Sequence, residues 1–183
     1  MQPWKRIEPT LTSKVGYRMV VSKFFTMPDG ATKHFETVNA VGARAASVLA
    51  LTADNQVIIC RQYRPGPDMV MDELPGGGVN EGEALEVGAA RELLEETGYE
   101  PGELEYLGVM HYDAYDNLER HCFLATNCTL SKRFAPQDAE EFIELRLAPI
   151  AELLATAKAG KMTDPGVVLL AYDRLVELEK KRG

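Results

Sequence analysis

The chain has 183 residues, 45% of them hydrophobic, with a formal net charge of −8. That size suits one main domain with a sizeable core and room for a small N-terminal addition, while the negative charge argues against non-specific binding to nucleic acid, whose phosphates demand a basic face. No apolar stretch approaches membrane-spanning length, and the opening Met-Gln-Pro-Trp-Lys-Arg-Ile-Glu lacks the apolar core of a signal peptide. Cys60, Cys122 and Cys128 are odd in number and show no paired metal spacing, so no disulfide framework is implied and a reducing, cytoplasmic location is expected.

In chain order, Tyr17 to Phe25 and Ala31 to Val38 read as strands joined by the turn residues Met27-Pro28-Asp29-Gly30. Ala45 to Thr52 and Gln56 to Gln62 form a second pair around Ala53-Asp54-Asn55, and Met69 to Leu74 leads into the turn Pro75-Gly76-Gly77-Gly78. A helix ending at Gly98 comes next. Leu104 to Tyr112, Glu119 to Ala125 and Phe142 to Leu147 read as strands, followed by helices over Ile150 to Ala159 and Pro165 to Lys181. The last has Pro165 in its first turn and Val168, Ala171, Leu175 and Leu178 on one face. Strands interrupted by one helix and closed by others predict an α/β fold, an α/β/α sandwich with a mixed sheet. Residues 1–40 are expected to form an N-terminal β extension and residues 41–183 the main domain. A two-stranded hairpin is marginal alone in water. Val20, Val21, Phe24 and Phe25 therefore need cover, either from their own subunit or from a second copy in a two-fold dimer.

The central helix carries most of the chemistry. At about 100° per residue, Glu92, Glu95 and Glu96 share one face, while Val87, Ala90, Leu93 and Leu94 fall on the opposite arc, toward a core. Like charges at this spacing cost roughly 0.2–0.5 kcal/mol per pair. Gly98, at the C′ position, puts Glu95 and Glu96 at the negative end of the macrodipole. An acidic stripe without a compensating cation points to a bound divalent metal, and Gly88, one turn earlier on the same stripe, leaves room for an ion with its waters and a phosphate.

Gly77, Glu83, Arg91, Glu92, Leu93, Glu95, Glu96, Gly98 and Tyr99 stand at the spacing of the Nudix box, Gly-x5-Glu-x7-Arg-Glu-U-x-Glu-Glu-x-Gly-U with U bulky and apolar, and every fixed position is filled. The chain resembles the Nudix hydrolases. That resemblance implies the Nudix-type sandwich and a Mg²⁺- or Mn²⁺-dependent hydrolase of a nucleoside diphosphate linked to another moiety. It makes Glu92, Glu95 and Glu96 metal ligands, with the Gly77 carbonyl beside them; Arg91 orients a glutamate, and Glu83 supports the loop. Hard oxygen donors favour Mg²⁺ or Mn²⁺ over zinc. The expected reaction is attack of water on a pyrophosphate phosphorus, with a carboxylate taking the proton. That base is a box glutamate or one from the acidic run holding Glu140 and Glu141.

Arg61-Gln62-Tyr63-Arg64-Pro65 and Glu73-Leu74-Pro75-Gly76-Gly77 are similar to the ADP-ribose pyrophosphatase group. This makes Arg64 a phosphate contact and Glu73 a residue facing the same site, and makes ADP-ribose, split to AMP and ribose 5-phosphate, the leading substrate. The chain departs from that group where a proline is usual about sixteen residues past the box: it reads Asp113-Ala114-Tyr115-Asp116. A tyrosine near this place is seen in diadenosine polyphosphate hydrolases, so Tyr115 either stacks on a base or packs in a core. The alternatives are a dinucleoside polyphosphate or other nucleotide hydrolase and a non-catalytic nucleotide-sugar sensor. In the resembled group the N-terminal extension builds a homodimer that completes the substrate pocket, where Trp4, Phe24 or Phe25 are base-stacking candidates.

Overall fold

The computed structural model describes residues 1–132 and 142–181, in two compact units. The first comprises Met1–Arg44 together with His111–Glu119. Its three strands, β1 (Lys5–Val15), β2 (Arg18–Thr26) and β3 (Thr32–Val38), form an antiparallel sheet in that order. β2 and β3 are the expected hairpin; β1 was not expected. Pro9 cannot donate to a ladder, which argues against a strand in sequence. Here the strand lies at a sheet edge, and its register shifts between Ile7 and Leu11 to pass the proline. β1 also gives the hairpin a neighbour, so Val21 is buried. Trp4 stacks on Phe35 with ring centroids 5.4 Å apart and meets Phe25 edge-on at 6.0 Å, while Phe24 lies 5.5 Å from His34. The His111–Glu119 segment is tied to the end of β3: Val38 N donates to Tyr115 O at 2.8 Å, and Asn117 Nδ2 donates to Thr37 Oγ1 at 2.9 Å.

The second unit, Ala45–Met110 with Arg120–Gly183, is an α/β/α sandwich. Its strands are β4 (Arg44–Thr52), β5 (Gln56–Arg64), β6 (Met69–Glu73), β7 (Gly76–Gly78), β8 (Tyr99–Glu100), β9 (Glu103–Met110), β10 (Glu119–Leu130) and β11 (Glu144–Pro149). Neighbours run β11-β5-β4-β10-β8, with β6 on β5, β7 on β4 and β9 on β10.

Strand periodicity explains the two layers of core. Successive residues face opposite sides, so Leu49, Leu51, Val57, Ile59, Cys122 and Leu124 fill one cluster while Ala46, Val48, Ala50, Ile58, Phe123 and Ala125 fill the other. Helix α1 (Leu85–Thr97) covers the second cluster through Ala89 and Leu93. Helices α2 (Ile150–Lys158), α3 (Pro165–Leu170) and α4 (Tyr172–Lys180) cover the first.

Two expectations about helices are corrected. The helix expected over Pro165 to Lys181 divides at Ala171, although Val168, Ala171 and Leu175 are all buried. The division is slight: Ala171 N reaches Val167 O at 3.0 Å, and Leu175 N reaches Ala171 O at 3.0 Å. Nothing in the run from Val167 to Leu175 breaks an apolar helical pattern, which is why the sequence reads as continuous. Val87, expected to face the core, is 58% exposed, and the buried arc of α1 is instead Gly88, Ala89, Leu93 and Thr97. Among the described residues no helix is long and apolar enough to cross a membrane.

Candidate active site

β7 approaches β4 so closely that its first residue must be glycine. Gly76 lies opposite Ser47, and a β-carbon on it would overlap Ala46 O and stand 2.9 Å from Ser47 Cα. The turn before it is held too, because Val48 N donates to Pro75 O at 2.8 Å. With the turn fixed, its amides and carbonyls become rigid contacts for α1. Gly76 N donates to Glu96 Oε2 at 2.8 Å. Gly77 lies against Glu92, where an added β-carbon would stand 2.5 Å from Oε2. The helix stops at Gly98, whose φ of 74° is the left-handed cap conformation, with its N–H on Leu94 O at 2.8 Å.

Arg91 gathers this corner. Its Nε donates to Glu83 Oε1 at 2.9 Å and its Nη2 to Glu83 Oε2 at 3.1 Å and Gly78 O at 2.9 Å. Its Nη1 donates to Glu92 Oε1 at 2.7 Å and to Glu95 Oε2 at 2.9 Å. The acidic stripe therefore has a compensating cation, contrary to expectation. Adjacent helical residues do not face each other at their β-carbons, but the arginine is long enough to curl back over Glu92. The room expected at Gly88 is also taken: this glycine is buried, and a β-carbon there would meet Glu83 Oε2 at 3.1 Å and Val79 Cγ2 at 3.2 Å.

Charge and burial set the protonation behaviour. The hydrogen bonds from Arg91, then the one from the Asn80 backbone, hold the Glu83 carboxyl down at about 2. Burial pushes Glu92 up from the ordinary carboxylate value, against the pull of Arg91. Cys60, whose Sγ donates to Glu96 Oε2 at 3.9 Å, is pushed far up by burial and by the charges of Glu96, Glu73 and Asp164.

Arg64 and Glu73 join in a two-pronged ion pair through Arg64 Nε and Nη2. Glu73 is buried on β6, and the Arg64 side chain is 42% exposed. Glu73 chiefly, with Glu96 and Asp164 adding to it, favours the charged guanidinium.

Among the described residues no three His, Cys, Asp or Glu side chains are gathered into a cluster ready to hold a metal ion, and Arg91 Nη1 touches both Glu92 and Glu95. The donors around the glycine turn are nonetheless all oxygen: three carboxylates on one helix face and the backbone carbonyls beside them. That set fits a hard divalent cation, the kind Nudix hydrolases use.

A model of the NUDIX domain matches residues 42–167. The chain belongs to the NUDIX family. Its enzyme class is that of the Nudix pyrophosphohydrolases. The methanol dehydrogenase activator of Bacillus methanolicus is 31% identical over 158 residues, covering 85% of this chain and 84% of that protein. The ADP-ribose pyrophosphatase of Bacillus subtilis (strain 168) is 29% identical over 139 residues, covering 75% and 74%. A crystal structure described as an ADP compounds hydrolase matches with a TM-score of 0.79 at 18% identity, over 97% of this chain and 96% of that one, a likeness of fold.

In this Nudix chain, Gly77, Glu83, Arg91, Glu92, Glu95 and Glu96 come together around the glycine turn. Arg64 and Glu73 meet each other, within the electrostatic reach of Glu96. Tyr115 belongs to the first unit, 55% exposed, its ring 6.5 Å from Phe35. Glu140 and Glu141 lie outside the described residues. The sequence pattern gave Cys60 only as an unpaired cysteine and did not single out Ser47, Arg120 or Asp164. Thr163-Asp164-Pro165 signals a helix cap in sequence, and nothing in that spacing says that the carboxylate turns inward.

The Glu83–Arg91 tie has a definite pH dependence. A carboxyl at about 2 when folded against an ordinary 4.5 contributes stability in full above about 4.5 and loses it as the pH falls toward 2. Wild type should therefore exceed Glu83→Gln in unfolding free energy at neutral pH, and the gap should close between pH 4.5 and about 2. Urea unfolding of both proteins across that range checks it; a constant gap refutes it.

Proposed function

We propose that this enzyme hydrolyses the pyrophosphate bond of a nucleoside diphosphate sugar, ADP-ribose foremost, to AMP and ribose 5-phosphate, with Mg²⁺ or Mn²⁺. One observation carries the reading: the complete box converges on the glycine turn, with the Arg64 guanidinium close enough for Glu96 to act on its charge. The Bacillus subtilis ADP-ribose pyrophosphatase and the mouse ADP-sugar pyrophosphatase, 37% identical over 81 residues, support the choice of substrate.

Glu92, Glu95 and Glu96, with the Gly77 carbonyl, would hold the ion. When bound, it neutralises charge on the phosphate oxygens and lowers the pKa of water. The protein's own groups do the rest. Arg91 ties Glu92 and Glu95 to the loop that carries Glu83 and Gly78, and the Gly76 amide orients Glu96. Glu73 takes the Nε and Nη2 atoms of the Arg64 fork, and Nη1 would contact a phosphate of the substrate. A box glutamate, or Glu140 or Glu141, accepts the proton of the attacking water.

A second reading, hydrolysis of dinucleoside polyphosphates, is favoured by the exposed ring of Tyr115, which suits stacking on a base. We place the enzyme in the cytoplasm as a two-fold homodimer built on the N-terminal sheet.

With Mg²⁺ and a panel of nucleotides, ADP-ribose should be the fastest substrate; dinucleoside polyphosphates hydrolysed faster than every sugar nucleotide would overturn the assignment. Glu96→Gln should fold normally and lose most turnover and Mg²⁺ affinity, and calorimetry finding unchanged affinity with activity retained would remove Glu96 from the site. Arg64→Lys keeps a cation beside Glu73 but not the fork. It should lower kcat/KM by about 1.5–3 kcal/mol equivalent, the range for a charge-assisted hydrogen bond; an unchanged value returns Arg64 to a structural role. Light scattering should give twice the chain mass of 20.2 kDa, and a single-chain mass refutes the dimer.

A further inference from the structure

Asp164 occupies the N-cap of α3, yet its side chain makes no cap hydrogen bond. An aspartate there ordinarily accepts from the first turn of its own helix. Instead the residue is buried, 5% exposed, and its carboxylate is turned inward. Its Oδ1 accepts from Ser47 Oγ at 3.2 Å and lies 3.6 Å from Arg120 Nη1, which itself donates to Ser47 Oγ at 3.0 Å. Its Oδ2 accepts from Thr163 Oγ1 at 2.8 Å and from the Leu74 amide at 3.4 Å.

These contacts bracket the glycine turn. Leu74 precedes Pro75-Gly76, and Ser47 is the residue opposite Gly76 in the β4–β7 ladder. Gly76 N, in turn, is the donor to Glu96 Oε2. A buried carboxylate is costly to keep unless it is paired and hydrogen-bonded, and here the pairing runs to the backbone that aims Glu96. From this geometry we propose that Asp164, with Arg120 and Ser47, is a positioning residue for Glu96, acting through the Leu74–Gly76 turn. The inference rests on Glu96 belonging to the site, as in the proposed function. Asp164 touches neither substrate nor ion; it fixes the direction from which the Gly76 amide holds the glutamate. Groups that orient metal-site ligands from behind typically matter by about 10- to 100-fold in activity or metal affinity.

Asp164→Asn keeps the shape and removes the charge opposite Arg120. With ADP-ribose and Mg²⁺, kcat should fall about 10- to 100-fold, and KM should change by less, because Asp164 acts on Arg64 only through its charge and makes no contact with it. A second readout needs no turnover. Cys60 donates to Glu96 Oε2, so its S–H stretching band in the infrared, assigned by its loss in Cys60→Ser, reports where that carboxylate lies. The band should move to higher frequency in Asp164→Asn as the contact lengthens. If that variant fails to fold, Ser47→Ala carries the same two measurements, with smaller changes in the same directions. An unmoved band overturns the route through Glu96, and an unchanged kcat overturns its importance for catalysis. Inactive Glu96→Gln beside a fully active Asp164→Asn sinks this inference alone, whereas active Glu96→Gln sinks the proposed function.

Discussion

Three carboxylates at the C-terminal end of a helix repel one another and the helix dipole, and α1 has to hold Glu92, Glu95 and Glu96 there. One guanidinium makes this tolerable. Arg91 bonds Glu92 and Glu95 on its own helix and reaches Glu83 and the Gly78 carbonyl on the preceding loop. A lysine would supply the charge but not five donors in a planar fork. Because the same group neutralises the helix and tethers the loop, the position of the acidic face and the shape of the glycine turn are not independent. The cost of placing these carboxylates on one helix face is thus offset within the protein, by Arg91.

The turn is equally constrained from the sheet. Gly76 packs on β4 with no space for a side chain, Pro75 O is bonded by Val48, and the buried Asp164 reaches the Leu74 amide. Local chemistry at the site is thus underwritten by strands at the centre of the sandwich, which are also the best-buried part of the molecule. Rigid elements position functional groups better than loops do.

Much of this was legible in the sequence because it is periodic or local. Strand-forming runs set off by turn residues marked β4 and β5, and the spacing from Gly77 to Tyr99 pointed to the family. What escaped was non-local. β1 was hidden by Pro9, whose missing N–H matters only in a sheet interior, whereas β1 lies at an edge. Arg91 was expected to orient one glutamate, but its pairing with Glu83, Glu92 and Glu95 together was missed, because helical geometry places β-carbons and says little about the tip of a long side chain. The space assigned to Gly88 was filled by Val79 and Glu83, from a loop whose path the sequence does not specify. Asp164 is the clearest case: it stands 90 residues from Leu74 along the chain, and only the fold brings them into contact.

The division of the core into two clusters has a consequence for how the chain reaches its native state. β4 is buried on both faces from Ala45 to Thr52, with α1 needed for one side and α2, α3 and α4 for the other. During synthesis the N-terminal strands emerge first and the helices that close the second face emerge last. Until then Val-Leu-Ala-Leu, together with Val57 to Cys60, offers water a sticky apolar surface of high strand propensity, the type that pairs with other chains. The C-terminal helices therefore act as the chain's own late-arriving shield, and a product truncated before them is one that a cell must bind or destroy.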